Sequence, residues 1–294
     1  MPRLVIDNLS KRYGTIQALD GVSLSVEAGE IYGFVGSNGA GKSTTMRIAL
    51  GVLAADSGKV FLDGKEINST LRRRIGYMPE ERGLYAKEPL LDQLVFFASL
   101  HGITTADARA RALSLLERLG LAQRASDKLE TLSLGNQQRV QLAASLIHDP
   151  DVLVLDEPFS GLDPVAVDVM SELLIERARA GVAVLFSSHQ LSLVQRLCDR
   201  VGIITGGKMR AQGSIDELRA GGEVIYDIAT AVDPQLWCPP HLQAHPVGPE
   251  RYHVAVGETD PQALLRAAVA HGAVESFSRY VPDLDELFKE VVSQ

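Results

Sequence analysis

The sequence predicts an α/β protein with a large domain over residues 1–220, built on a parallel sheet, and a small α+β domain over residues 221–294. Two patterns carry this prediction. From residue 135 onwards, short and almost continuously apolar runs alternate with helical segments, which is typical of parallel strands covered by helices on both faces. The pair Gly221-Gly222 then interrupts the alternation, and the tail returns to short strands and helices.

The first elements are short β-type runs at residues 3–9 and 22–26 and a small hairpin that turns at Asp63-Gly64. Together they indicate an antiparallel β region near the N-terminus. A helical region follows at about 85–150, where apolar residues recur every three or four positions. The later elements are predicted in this order: helix 135–148, a strand within 152–158, helix 165–180, strand 182–188, helix 190–198, strand 200–205 and, in the tail, helix 260–271.

Composition limits the class of protein. With 294 residues, 46% hydrophobic and 22% charged, the chain resembles an ordinary globular protein. No apolar run approaches the ~20 residues of a membrane helix, and residues 1–14 turn polar too soon for a signal peptide, so we expect a cytoplasmic protein. The cysteines Cys198 and Cys238 show no metal-ligand spacing.

Most of the net charge of −8 lies in residues 221–294, which carry 4 basic and 11 acidic side chains, so we expect no nucleic-acid partner.

A glycine-rich loop lies at residues 33–45, GFVGSNGAGKSTT, and fits the pattern G-x-x-x-x-G-K-[ST]. It stands between a predicted strand and a predicted helix, which is the order that a phosphate-binding loop (P-loop) requires. The backbone amides would surround a β-phosphate, Lys42 would neutralise phosphate oxygens, and the Ser43 hydroxyl would bind Mg²⁺. The predicted nucleotide-binding residues of this loop are Ser37, Asn38, Gly39, Ala40, Gly41, Lys42, Ser43 and Thr44.

Two carboxylates follow an apolar strand in the segment DVLVLDEP, residues 151–158. Asp156 is placed to hold Mg²⁺, and Glu157 to orient or deprotonate an attacking water. The alternative, acidic residues that only solvate a turn, is disfavoured by the four apolar residues before the doublet. His189 follows the next strand, where it could reach a γ-phosphate or be a structural residue at the strand end.

A second candidate phosphate site lies in the segment LETLSLGNQQRV, residues 129–140, where turn-forming residues run directly into a helix. The start of a helix offers unpaired N–H groups and the positive end of the helix dipole. The Ser133 hydroxyl and the Gly135 amide at this helix start are the groups that a γ-phosphate needs. The sequence therefore predicts two phosphate-binding sites in one chain.

In their order along residues 3–220, these motifs resemble those of the ATP-binding subunit of an ATP-binding-cassette (ABC) transporter. The segment GSNGAGKS corresponds to the family's Walker A motif, LSLGNQQ to its signature, VLVLDE to its Walker B motif and SGLD at 160–163 to its D-loop. His189 resembles the switch histidine, and Tyr13 resembles the aromatic residue that stacks on adenine. The resemblance implies a P-loop NTPase fold with an ABC-type helical subdomain at about 85–150, hydrolysis of ATP, and Mg²⁺.

The resemblance also implies partners. In this family two copies dimerise head to tail on ATP, and the signature of each copy covers the γ-phosphate bound by the other, which would assign Ser133 and Gly135 to the second copy's nucleotide. The dimer drives a separate transmembrane permease, so the subunit would sit on the inner face of the cell membrane. The rival class is a soluble ABC-type ATPase that acts on nucleic acid or the ribosome. Such proteins usually carry two cassettes or a long coiled-coil insertion, and this sequence shows neither.

The sequence departs from the common family pattern at a few positions. Leu134 and Asn136 differ from the usual LSGGQ signature, whereas its serine and second glycine are kept. Glu80 stands where the Q-loop glutamine is expected, and we expect its carboxylate to contact Mg²⁺. The segments PEERGLY and SLGNQQ resemble a subgroup of bacterial exporter-type ATPases, linked to sodium or drug efflux, that carry an extra C-terminal domain. This resemblance predicts export and leaves the substrate open, because specificity lies in the membrane subunit.

Overall fold

The computed structural model describes residues 2–81, 83–220, 224–257, 259–281 and 284–293. The chain divides into two compact units, with Met1–Ser214 in the larger and Ile215–Glu290 in the smaller. The sequence-based boundary at residue 221 falls slightly later, because the helix Ile215–Ala220 belongs to the smaller unit. The Gly221-Gly222 pair on which that boundary was based lies outside the described residues.

The strands of the described residues are numbered in chain order. They are β1 (Pro2–Tyr13), β2 (Ile16–Glu27), β3 (Ile31–Val35), β4 (Ser57–Leu62), β5 (Lys65–Glu66), β6 (Ile75–Met78), β7 (Val152–Leu155), β8 (Ala183–Ser188), β9 (Arg200–Thr205), β10 (Lys208–Ser214), β11 (Ile225–Ala229), β12 (Ala244–Gly248), β13 (Arg251–Ala255) and β14 (Ser276–Arg279).

The helices are numbered in the same way. They are α1 (Lys42–Ala49), α2 (Ser69–Arg72), α3 (Leu90–Leu100), α4 (Thr105–Arg118), α5 (Leu134–Leu146), α6 (Pro164–Arg179), α7 (Leu191–Leu197), α8 (Ile215–Ala220), α9 (Pro234–Trp237), α10 (Pro261–His271) and α11 (Leu284–Ser293). None of the described helices combines the length and the apolar character that crossing a bilayer requires.

A six-stranded sheet in the order β10-β9-β3-β8-β7-β6 forms the centre of the larger unit. The strands from β9 to β6 pair in parallel, and β10 pairs antiparallel with β9 at the edge. Strands β3, β7 and β8 are buried along their whole length. Both faces of the sheet are therefore covered, which explains the continuous apolar runs in the sequence.

A second sheet of the larger unit has the order β2-β1-β4-β5, and all of its pairs are antiparallel. Its β4-β5 hairpin turns at Asp63 and Gly64, whose φ angles of 50° and 73° suit the left-handed positions of a tight hairpin. Side chains of both sheets, such as Leu4 and Phe34, belong to one hydrophobic cluster. The predicted α/β class with an N-terminal antiparallel region is thus confirmed.

The smaller unit contains an antiparallel sheet in the order β12-β13-β11-β14. Its core includes Ile228 and Val254 from the sheet and Leu264 from α10. Trp237 is 2% exposed, and its indole N–H donates to the carbonyl of Val232 at 3.1 Å. The smaller unit thus combines an antiparallel sheet with helices, the α+β arrangement that the sequence predicts for the tail.

Side chains before several helices, α4, α5 and α6 among them, accept a hydrogen bond from a backbone N–H group of the first turn. Thr104 accepts from Asp107 N–H before α4, Ser133 accepts from Asn136 N–H before α5, and Asp163 accepts from Ala166 N–H before α6. Each acceptor lies three residues before its donor, as in a typical N-cap. At the start of α1, beside Gly41, no side chain of the described residues forms such a cap.

Two imidazole rings stack where α3 and α5 end. The ring centroids of His101 and His148 are 3.9 Å apart, and the ring planes differ by 15°. The pKa of His148 is lowered to about 4. Burial is the main cause, and the positive charge of His101 is the second. The pKa of His101 is also lowered, first by burial and then by Arg73. Protonation of either ring is therefore disfavoured in the folded chain.

We predict that the protein loses stability as the pH falls from about 6.5, the unfolded pKa of histidine, towards the pKa of about 4 of folded His148. In this window the unfolded chain binds a proton that the folded chain does not, so acid favours unfolding. We expect His148→Gln to remove about 1–2 kcal/mol of this loss, since solvent screening reduces the effect at a partly exposed ring.

Urea unfolding at pH steps between 4 and 7.5 measures this effect. The exposed His245 of the smaller unit, changed to Gln, is the control for loss of an imidazole. An unfolding free energy of His148→Gln that depends on pH as strongly as that of the unmodified protein would contradict the prediction.

Candidate nucleotide-binding site

Four neighbouring parallel strands end at one edge of the central sheet, and each leads into a segment with predicted site residues. Strand β3 ends at Val35, which is paired with Ser188 at the end of β8. Strands β7 and β6 end together at Leu155 and Met78. The glycine loop, Asp156, His189 and the segment that contains Glu80 therefore begin at the same edge. This is the edge at which α/β proteins bind ligands.

The glycine loop connects β3 to α1 through backbone positions that a side chain could not occupy. Gly41 has a φ angle of 112°, and a Cβ atom there would lie 2.8 Å from the Ala18 carbonyl oxygen and 2.6 Å from a methyl group of Leu19. Because no side chain caps α1, the N–H groups of its first turn remain available. The loop thus presents backbone donors and the positive helix end towards a bound anion.

A cleft of about 150 Å³ lies over the glycine loop. It is lined by Ala18, Ser37, Asn38, Gly39, Gly41, Lys42, Ser43, Thr44 and Glu157. The structure therefore brings seven of the eight predicted loop residues together with Glu157. The eighth, Ala40, is buried, and its N–H donates to the Ser37 carbonyl at 3.1 Å, which closes the turn of the loop.

Lys42 is held at the base of the cleft. Its side chain is 6% exposed, and its ammonium group donates to the Gly36 carbonyl at 2.6 Å. The same nitrogen lies 3.5 Å from Oε1 of Glu157. In the described part of the chain this buried ammonium has one carboxylate and the Gly36 and Ser37 carbonyls beside it, so it can readily accept a further anionic partner.

Glu157 occupies a backbone conformation that is rare for a residue with a side chain, with a φ angle of 50°. Its Oε2 lies 2.8 Å from Nδ1 of His189. Its Oε1 is buried and, among the described residues, finds no hydrogen-bond donor, although Lys42 is nearby. A buried carboxylate oxygen without a donor is costly and well suited to receive a water molecule.

The hydroxyl of Ser187 connects the Asp156 carboxylate to the backbone of Glu157. Ser187 is fully buried on β8, and its Oγ donates to Oδ1 of Asp156 at 2.7 Å. The same oxygen accepts from the backbone N–H of Glu157 at 2.8 Å. One side chain from the neighbouring strand therefore orients the Asp156 carboxylate and holds the strained backbone of Glu157.

The residues predicted to hold Mg²⁺ offer oxygen donors, the type that this ion prefers. Asp156 is 1% exposed, Ser43 lies in the cleft wall, and Glu80 is exposed on the bend after β6. The pKa of Tyr77 is raised, mainly by burial. The negative charge of Asp156 adds to this effect, and that of Glu80 adds a smaller amount. Both carboxylates therefore act on this one side chain.

Among the described residues, no three His, Cys, Asp or Glu side chains are grouped so that they could hold a metal. A magnesium ion at Asp156 and Ser43 would therefore need water or phosphate oxygens as its other ligands, which is usual for this ion. The donors present fit Mg²⁺ that arrives with a nucleotide.

Ser133 and Gly135 lie at the start of α5 and do not line the cleft over the glycine loop. Ser133 is exposed, and its hydroxyl accepts from the Asn136 N–H at 3.4 Å. A Cβ atom at Gly135 would meet Leu162 and Ala166 at 3.6 and 3.7 Å, which are ordinary contacts. Packing within this chain therefore does not require glycine at this position.

Tyr13 is the last residue of β1 and is 48% exposed. Its ring lies 5.8 Å from the ammonium group of Lys11, and Tyr13 is not among the residues that line the cleft. The exposed ring face is available for stacking.

The fold and this sheet edge define the class of protein, a P-loop nucleoside triphosphatase. Comparison with known proteins gives the family. The family model described as "ABC transporter" matches residues 19–160. The ABC transporter ATP-binding protein YhaQ of Bacillus subtilis (strain 168) is 41% identical over 297 residues, which cover 98% of each chain. The chain belongs to the ABC transporter family and is an ATP-binding subunit that hydrolyses ATP.

Two further similarities support this assignment. The linearmycin resistance ATP-binding protein LnrL of Bacillus subtilis (strain 168) is 36% identical, over 78% of this chain and 75% of that protein. A solved structure of an ATP-binding subunit of an ABC transporter is 31% identical with a TM-score of 0.69, and the match covers 74% of this chain and 92% of that chain. The resemblance inferred from the motifs, and the P-loop fold that it implied, are confirmed.

Sequence reasoning missed two residues of this site. Ala18, on β2, lines the cleft, and Ser187 joins Asp156 to Glu157. Ala18 carries no chemical signal, and its contact depends on how β2 crosses the glycine loop. Ser187 was visible only as a polar residue at the end of an apolar strand, in VLFSS.

We predict that Ser187→Ala lowers ATP turnover about 10-fold or more and costs about 1–3 kcal/mol of stability, because the buried Asp156 oxygen and Glu157 N–H lose their shared partner. Steady-state ATPase assays and thermal unfolding measure both effects. Ser171→Ala is the matched control, since Ser171 is also buried but its hydroxyl has no hydrogen-bond partner in the described part of the chain. Turnover in Ser187→Ala equal to that of the Ser171→Ala control would exclude a role for the bridge.

Proposed function

We propose that this chain works as an ATP-dependent head-to-tail homodimer that binds and hydrolyses Mg-ATP at its interface and thereby drives a separate membrane-spanning permease, in the direction of export. One observation carries the proposal. The glycine-loop cleft holds Lys42 and Glu157, whereas the second phosphate-binding helix start, at Ser133, lies outside that cleft. In a dimer, the helix start at Ser133 of one copy would bind the nucleotide that lies in the glycine-loop cleft of the other copy.

The glycine loop would hold the phosphates of ATP. The first-turn amides of α1 would bind the β-phosphate, and Lys42 would exchange part of its contact with Glu157 for β- and γ-oxygens. The exposed ring of Tyr13 would stack on adenine, since a base needs a flat apolar face more than specific donors.

Mg²⁺ would supply positive charge that stabilises the oxygens of the phosphate being transferred. Ser43 and Asp156 would hold it from the chain, with Glu80 as a further carboxylate. Ser187 would keep Asp156 in the orientation that the metal needs, because the bond from its hydroxyl fixes one of the two carboxylate oxygens.

Glu157 would act on the attacking water. Its Oε1 is buried beside Lys42 and has no hydrogen-bond donor among the residues that the structure describes, so a water in the cleft can donate to it and be polarised. His189, 2.8 Å from the other oxygen, fixes the direction of the carboxylate. Its side chain is 54% exposed, so it can also turn towards a γ-phosphate.

Ser133 and Gly135 would serve the nucleotide bound by the second copy. Neither the backbone angle nor the packing of Gly135 requires glycine, so the missing side chain leaves space for something that approaches from outside. The Ser133 hydroxyl and the N–H groups at the start of α5 would then face a γ-phosphate.

The permease would dock on an aromatic patch in the helical region, formed by Tyr85, Phe96, Phe97 and Leu100. Tyr85 stacks with Phe97 and meets Phe96 edge-on, with ring centroids 6.1 and 6.2 Å apart. Tyr85, Phe96 and Leu100 are 51%, 46% and 55% exposed, which is unusual for side chains of this size grouped together. Docking there would place the subunit on the inner face of the membrane, and the resistance function in LnrL's name favours export.

We predict that Glu157→Gln binds ATP, hydrolyses it very slowly and accumulates as a dimer. The substitution keeps the shape of the side chain and removes the charge that polarises water. Size-exclusion chromatography with and without Mg-ATP measures the dimer, and phosphate release measures turnover. A variant that stays monomeric in Mg-ATP, or that turns over at the wild-type rate, would contradict the proposal.

The double variant Glu157→Gln/Ser133→Arg is the control for the head-to-tail arrangement. It should bind ATP as a monomer and fail to dimerise, because the serine acts only on the other copy's nucleotide. Equal loss of monomer binding would mean that Ser133 serves its own chain's nucleotide.

We predict that Phe96→Ser weakens docking to the permease about 10-fold or more and leaves the basal ATPase activity of the isolated chain unchanged, because the aromatic patch loses buried apolar area only in the complex. Co-purification from membranes and permease-stimulated turnover measure this. Leu113→Ser on α4 removes an exposed apolar side chain outside the patch and is the control. Unchanged docking of Phe96→Ser would exclude the patch as the contact.

A further inference from the structure

Gln141 is a buried amide in the second half of α5. Its side chain is 4% exposed and stands between the buried apolar residues Val140 and Leu142. A buried polar side chain on a packed helix is costly unless its hydrogen bonds are made. In this chain its Nε2 lies 2.6 Å from the carbonyl oxygen of Pro79 and 3.2 Å from that of Glu81.

The two carbonyls that accept from Gln141 stand on either side of Glu80. One amide nitrogen carries two N–H groups, so both of its donors can be used at once. Pro79 adds a second restraint, because its ring fixes its own φ angle. The backbone before and after Glu80 is therefore fixed by a residue of α5, 62 and 60 positions away in sequence.

The same segment is also fixed to Asp156. The backbone N–H of Asp156 donates to the Met78 carbonyl at 2.8 Å, immediately before Pro79. The segment with Glu80 thus lies between two anchors, the backbone of a predicted metal ligand on one side and α5 on the other. A shift of α5 would pull on Glu80 through Gln141, whereas Asp156 would hold the other end.

We propose that Gln141 is a positioning residue that aims the Glu80 carboxylate at the Mg²⁺ of bound ATP and makes this contact depend on the position of α5. The proposal rests on the proposed function, which assigns Glu80 to the metal and the Ser133 end of α5 to the second copy's nucleotide. Because Gln141 lies on α5 and Ser133 caps the start of that helix, closure of the dimer on Ser133 would shift Gln141 and, through it, the backbone at Glu80. Gln141 itself touches neither the metal nor the nucleotide.

The test is a binding measurement in the slowly hydrolysing Glu157→Gln background. ATP affinity is measured by equilibrium dialysis in EDTA and again with Mg²⁺, and the ratio is the Mg²⁺ enhancement. Gln141→Met keeps the length and the packing but removes both donors. We expect it to leave ATP affinity in EDTA unchanged and to reduce the Mg²⁺ enhancement about 10-fold, the size typical for a residue that orients a metal ligand.

A double-variant cycle separates positioning from a purely structural role. Glu80→Ala should reduce the Mg²⁺ enhancement by itself, and adding Gln141→Met should then change nothing further. Gln93→Leu is the matched control, because it removes another buried amide that donates to two loop carbonyls, Glu88 and Pro89, and should keep the full Mg²⁺ enhancement.

Gln141→Ala is measured in parallel and should behave as Gln141→Met does. Full Mg²⁺ enhancement in either Gln141 variant, or effects of Gln141→Met and Glu80→Ala that simply add, would overturn the inference. Failure of the proposed function looks different, because the Glu157→Gln protein with Gln141 intact would then show no ATP binding or no dimer.

Discussion

Strands β6 and β7 end side by side at one edge of the parallel sheet, and so do β3 and β8, while Leu155 at the end of β7 pairs with Phe186 of β8. The groups of the site depend on this register. Backbone pairing brings Met78 beside Leu155, and Val35 beside Ser188. The next residues along each strand then meet at one edge although they are far apart in sequence. A shift by one residue would turn each side chain to the other face of the sheet, so the buried apolar faces of β3, β7 and β8 hold the site together.

This register also explains the charge arrangement at the edge. Glu157 is 7% exposed, yet it has Lys42 at 3.5 Å and His189 at 2.8 Å as partners on its two oxygens. Removing one partner of a buried ion pair leaves an uncompensated charge and costs far more than the pair itself contributes. The pair holds Lys42 and Glu157 at the base of the cleft before a ligand arrives, which limits the reorganisation that binding requires.

Much of the fold and of this site could be predicted from the sequence, because the signals are local. The apolar runs, the glycine loop and the doublet Asp156-Glu157 are each contained in a few neighbouring residues. The bridge of Ser187 to Asp156 and the contacts of Gln141 with the segment at Glu80 could not be predicted in this way. They join residues 31 and about 60 positions apart, and only the packing of β8 and α5 decides which polar groups meet.

Two phosphate-binding sites on one chain, as proposed, would make assembly depend on protein concentration. In the proposed dimer each nucleotide is held by the glycine loop of one copy and the Ser133 helix start of the other, so assembly is linked to ATP by mass action. Hydrolysis removes the γ-phosphate that both copies share, and the contact that closes the dimer weakens with it. The segment at Glu80 lies between Asp156 and α5. Under the proposal it is therefore the part of the chain through which the metal at one nucleotide and this chain's own α5, whose start would serve the partner's nucleotide, would affect each other.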